Sequence, residues 1–512
     1  MMRLKVVGGC VVGLLLCVSG TDAAVARASV VDAVKRADKA AVRALLQKHA
    51  DVNAPEPDGT TALHWAAYTD DVDTAELLIR AGANAKTTNR YGATPLALAS
   101  TNGNAAMIEA LMKAGADPNI ASPEGETPLM LAARSGAAPA VKVLLAHDAN
   151  VNAKETWKGQ TALMWAAAEG HVEAVQALLA AGADVQGRSK GGLTAFLFAV
   201  RESRVAAVRA LLAGGANVND TIIPEGAPQR PAPNNPATSG AQGALFPRGL
   251  SALIVSVGNA HFELAAMLLD AGADPNAGPQ GWTALHELSL MRKPGTQSNS
   301  PAPPGSGTMD SLEIVRRLAA HGANLNARAS GRRKDTEMTY LNMNGGTPFF
   351  LAARTCDVDY MRLLVELGVD PKLPNEDGTT PLLAAAGLDI RSPGEDAGTE
   401  PECLEAVKLT LALGNDINAV NDYGNTAMHA AAMKQMPTVV KFLSENGAKI
   451  EIWNDENSDG WTPLRIAAGV WRSLNFRFDA PTTKAIQELM VAAGVSTDLT
   501  AGTTITSVIP TK

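Results

Sequence analysis

The stretch "GQTALMWAAAEGHVEAVQALLAAGADVQ", Gly159–Gln186, decides the fold. It opens on a turn-forming glycine, and Thr161 stands where a helix needs an N-cap. A short alanine-rich run follows, broken by "AEGH". A second run, "VEAVQALLAAG", places Val172, Val175, Leu178 and Leu179 at helical spacing. Gly182 ends it by accepting a left-handed backbone. Two short helices of this kind cannot bury their apolar faces alone, so stacked copies are required.

The copies are present. The opening segment recurs as "GTTAL" at Gly59, "GATPL" at Gly92, "GETPL" at Gly125 and "GLTAF" at Gly192, a beat of 33 or 34 residues. It returns at Gly249, Gly281, Gly345, Gly378, Gly424 and Gly460, which makes eleven openings in all. Closing segments such as "GANAK" at Gly82, "GADPN" at Gly115 and "GANVN" at Gly215 complete the units. A fixed period of this length predicts an α-helical repeat solenoid of stacked helix pairs.

With "TALHWAA" at Thr61 and "TAMHAAA" at Thr426 on the page, the chain resembles the ankyrin-repeat family from about Asp51 to Val495. The fourth signature position is histidine only at His64, His286 and His429. The resemblance implies that these imidazoles hold turns together. It also implies helix pairs with extended finger turns, and a concave face, built from fingers and first helices, that binds proteins.

The domain reading follows the beat: a signal peptide over 1–26, capping helices over 27–58 and regular repeats over 59–220. A Pro/Gly-rich finger over 221–248 precedes repeats with insertions over 249–459, a capping repeat over 460–495 and a tail over 496–512. Long inserted loops break the beat in the C-terminal part, at Thr221–Arg248, Met291–Gly307, Ala327–Asn344, Leu388–Glu402 and Val470–Thr483.

The start, "MMRLKVVGGCVVGLLLCVSGTDAAVARAS", runs from basic to apolar to small residues, the order of a secretory signal. An uncleaved anchor and lipidation at Cys10 are the competing readings. After cleavage only Cys356 and Cys403 would remain, so one disulfide is allowed in an oxidising compartment. Stacking of adjacent repeats, as the resemblance implies, brings these two near each other; two reduced thiols are the alternative.

Composition narrows the function. A net charge of -8 lacks the basic footprint of nucleic-acid binding. "HEL" at His286 is not a zinc motif, because Leu290 fills the place of the second histidine. No catalytic set, metal ligand cluster or cofactor motif is read from the chain, so no cofactor is expected.

What is read is aromatic. In the resemblance, the residue after the signature histidine faces the concave surface. In register these are Trp65, Leu98, Leu131, Trp165, Phe198 and Val255, then Glu287, Leu351, Ala384, Ala430 and Ile466. The first six are apolar and form a candidate strip. Trp157 and Trp282 lie in fingers beside it. The expected partner-binding residues are therefore Trp65, Leu98, Leu131, Trp157, Trp165, Phe198 and Trp282. Cover of the strip by finger residues is the competing reading.

The function expected is a non-enzymatic protein-binding scaffold in the bacterial periplasm or exterior. Its partner would be another exported or envelope protein, and no membrane span would remain after cleavage. An enzyme or regulatory site near the 291–345 insertions, and a self-assembling structural scaffold, are the alternatives.

Overall fold

The computed structural model describes residues 29–225, 249–293, 305–330, 341–390, 397–469 and 478–499. The expected signal segment, the small basic cluster "GRRK" at Gly331 and part of each of the five insertions lie outside them. Among the described residues there are 25 α-helices and no strand beyond isolated bridges such as Thr221–Ser251. The fold is a helical repeat solenoid. By packing, the described residues divide into two compact units, 29–102 with 106–117, and 103–105 with 118–499.

The unit that starts the chain opens with two helices, Val30–Lys35 and Lys39–Gln47, before the repeat helices Ala62–Tyr68 and Val72–Arg80. His64 explains why the signature uses histidine. Its Nδ1 meets the Thr61 backbone N–H at 3.2 Å and the Thr61 hydroxyl at 2.8 Å. Its Nε2 lies 3.1 Å from the Ala93 carbonyl of the next finger. A carbonyl only accepts, so Nε2 carries the proton and Nδ1 receives one. One neutral ring thus caps its own helix and ties it to a neighbour.

In the second unit the Gly159–Gln186 module follows its pattern closely. The Thr161 hydroxyl accepts the Met164 N–H, and helix Ala162–Glu169 follows. Gly170 stops that helix at φ +83°, and helix Val172–Ala180 returns beside it. Ala174, Val175 and Leu178 are buried, whereas Val172 and Leu179 lie half-buried at the edges of the stack. The narrow return helix leaves room for three inward positions, and the small Ala174 takes one of them. Gly182 sits at φ +84° with open space where a Cβ would be. Its backbone, not its size, demands glycine there.

Asparagine side chains stitch the closing turns. Asn152 donates to the Gly182 carbonyl at 3.3 Å and accepts the Asp184 N–H at 2.8 Å. Asn219 accepts the Asp274 N–H at 2.7 Å, from the far side of the Thr221–Arg248 insertion. That finger therefore lengthens without breaking the stack at its base.

Cys356 and Cys403 have their sulfurs at disulfide distance, with Cα atoms 5.0 Å apart. Cys356 occupies the turn between helices Pro348–Arg354 and Val358–Glu366 at φ +53°. Cys403 lies in the first turn of Glu400–Ala412, which starts three residues earlier than the expected boundary. A Thr399–Glu402 capping box sets that start.

Candidate binding groove

One groove of about 490 Å³ opens in the second unit, against the regular repeats. Its floor is Trp165, on helix Ala162–Glu169 one residue past the position that packs inward. Thr161 caps the helix, so the next turn's direction is set, and Trp165 emerges half-buried rather than enclosed. Its Nε1–H donates to Gln160 Oε1 at 3.0 Å. The Arg134 guanidinium lies 4.6 Å over the ring, a cation–π contact. His171 accounts for the neighbouring turn, its Nε2 3.0 Å from the Arg134 carbonyl.

The groove wall is a finger. Trp157 is 76% exposed, with the Lys158 ammonium 4.4 Å from its ring centre. An exposed tryptophan at a turn needs a rigid base, and Glu155 provides it. This buried carboxylate accepts the backbone N–H groups of Trp157, Lys158 and Gln160 at 2.6–3.0 Å. Charged acceptors make such bonds short and strong. The aromatic tip is therefore held by a buried ionic knot.

The other expected residues divide. In the first unit Trp65 is half-buried, its indole N–H on Glu56 at 2.5 Å and the Lys35 ammonium 4.8 Å over its ring. Leu98 is half-buried there too, and Leu131 is half-buried in the second unit. Two residues depart from expectation. Phe198 is buried at 4% exposure, because helix Ala195–Arg201 is buried through Val200 and Arg201 lies over the ring at 4.9 Å. Trp282 is also buried at 4%. Its indole N–H donates to Glu287 at 2.9 Å, and its ring stands 5.3 Å from His286. Glu287 holds the concave position of that repeat and is itself buried. A buried carboxylate needs a donor, so the finger tryptophan folds down to supply one.

From Phe198 onward the register positions Val255, Glu287, Leu351, Ala384, Ala430 and Ile466 are all buried. The exposed aromatic surface along the groove is thus confined to Trp157 and Trp165. Sequence reasoning did not single out Glu155, Gln160 or the ring-capping cations. A signal existed for the cations: Arg134 and Arg201 stand three residues after the concave positions Leu131 and Phe198, about one helical turn on. Among the described residues no group of three His, Cys, Asp or Glu side chains could hold a metal ion.

Comparison with known proteins bears on the same repeats. A family model described as "Ankyrin repeats (3 copies)" matches residues 30–122, 107–189, 129–222 and 397–475. Over 235 residues the chain is 31% identical to the human SH3 and multiple ankyrin repeat domains protein 2, covering 40% of this chain and 10% of that protein. It is 33% identical over 144 residues to neurogenic locus notch homolog protein 1 of Xenopus tropicalis, covering 24% and 6%. A putative ankyrin repeat protein of Acanthamoeba polyphaga mimivirus is 26% identical over 125 residues, covering 24% and 22%. The chain spans less than a quarter of the length of each of these relatives.

Proposed function

The chain belongs to the ankyrin-repeat family, and from that premise we propose that it is an exported, non-enzymatic scaffold that binds a partner protein through the Trp157–Trp165 groove. Ankyrin repeats are in general protein-binding scaffolds, and proteins built from them are typically not enzymes. The observation that carries the finer reading is an exposed Trp157 on a carboxylate-locked finger beside a half-exposed Trp165. Rigid aromatics with satisfied polar edges give large contact area at low entropic cost, which is the character of interface hot spots.

Export, to the bacterial periplasm or exterior, is supported by the N-terminal pattern and by the Cys356–Cys403 pair. The partner would then be another exported or envelope protein. Among the described residues no helix is long and apolar enough to cross a membrane.

Site-specific photocrosslinking tests this reading. A photoreactive residue at position 157 is expected to trap one exported protein, while the same residue at exposed Val491 traps none. Equal adducts from both positions, or none from 157, would end the groove assignment.

A further inference from the structure

Resting on the reading of the groove as a docking surface, we infer that its occupant is a short segment of the partner carrying lysine or arginine beside large apolar side chains. The reason is a charge imbalance within the groove. Its lining holds four carboxylates, Glu124, Glu126, Glu155 and Glu169, against three cations, Arg134, Lys158 and Arg201.

Each cation lies over a ring, and the two arginines also face a carboxylate. Arg134 lies over the Trp165 ring and 3.9 Å from Glu126. Lys158 lies over Trp157. Arg201 lies over Phe198 and pairs with Glu202 at 2.8 Å. Glu155 is saturated by backbone N–H groups. Glu124 and Glu169 are both exposed, and their carboxylates have no partner among the described residues. Two unpaired carboxylates outweigh Lys158, the one lining cation without a carboxylate beside it, so the charge of the groove is net negative, and it flanks two tryptophans.

A cationic side chain answers the carboxylates, and an apolar neighbour covers the indoles. An acidic segment would face two free carboxylates and meet Lys158 as the one lining cation that no carboxylate faces among the described residues. The space suits inserted side chains rather than a folded domain, since about 300–1,000 Å³ is the scale of small binding clefts.

The test uses the full chain and two capped synthetic peptides with the same leucines and tryptophan. One carries Lys and Arg between them; in the other, Glu replaces each basic residue. Calorimetry at about 50 mM and about 300 mM salt reads the affinities. The basic peptide is expected to bind at least about tenfold tighter, with that advantage shrinking at high salt.

The Glu124→Gln/Glu169→Gln double variant, altered only where no partner is lost, is expected to melt as the parent does and to lose about fivefold or more of the preference. Trp165→Ala is expected to weaken both peptides. Equal or tighter binding of the acidic peptide, or no binding of either, overturns the inference. So does a preference undiminished in the double variant, which would mark diffuse attraction to an acidic chain. Those results leave the docking reading standing. Its own failure looks different: Trp165→Ala binds both peptides like the parent, and position 157 yields no crosslink.

Discussion

Trp165 illustrates how a single side chain divides its duties. One edge of the indole is satisfied by Gln160, one face is covered by Arg134, and the ring remains half-exposed. Trp165→Ala should therefore cost well under the 2–5 kcal/mol expected, by order of magnitude, for the buried Leu178→Ala. Partner affinity should fall by about 2 kcal/mol. Denaturant unfolding of both variants, with affinity measured on the folded protein, checks this. A Trp165→Ala loss as large as that of Leu178→Ala would make Trp165 a packing residue.

The signature histidines make a second residue-scale prediction. Burial pushes His286 and His429 down from 6.5 to about 4. Both rings are neutral, each with Nε2 at the carbonyl of a neighbouring finger, Gly346 at 3.2 Å and Trp461 at 3.1 Å. Between those values the unfolded chain binds protons that the folded chain refuses, so stability falls as pH drops from 6.5 towards 4. The loss is roughly 3 kcal/mol per histidine over the whole window. Melting temperature should decline steadily across that range, and His429→Gln should show a shallower decline. A melting temperature independent of pH would refute the buried-neutral assignment.

At the scale of elements, the Cys356–Cys403 pair closes a loop containing the Leu388–Glu402 insertion. Its surroundings are tight. A Cβ on Gly398 would come within 2.9 Å of both sulfurs, and the buried Lys434 ammonium donates to the Ala397 carbonyl at 2.6 Å beside Cys403. A cross-link over 47 residues removes disorder from the unfolded chain. Reduction, or Cys403→Ser, should lower unfolding free energy by about 2–4 kcal/mol. Thiol counting on oxidised protein, followed by melting with and without reductant, tests it. Two free thiols before reduction would remove the bond.

For the whole molecule, the export proposal predicts a mature chain starting between Ala24 and Ser29, read by intact mass or N-terminal sequencing from the envelope fraction. Retention of Met1 there would count against cleavage.

The repeat itself was legible in the sequence because its causes are local and recur: a threonine cap, a glycine at positive φ and alanines where helices meet, each repeated in register. The cysteine pair was legible because only two cysteines lie beyond the apolar start and repeat stacking brings them together. The strip was legible only in part. Register puts Trp165 on the groove floor, but the same register put Phe198 at the surface and finger position put Trp282 there, where neither is. Exposure depends on what a neighbouring finger does, and a finger's course is set by contacts between distant residues. The Trp282–Glu287 bond buries a tryptophan because a carboxylate needed a donor; the Glu155 knot exposes another because its carboxylate turned inward to three backbone amides. Helix pairs and their spacing follow from local sequence, whereas the open or covered state of each concave position was decided by polar bonds and packing that exist only in the folded chain.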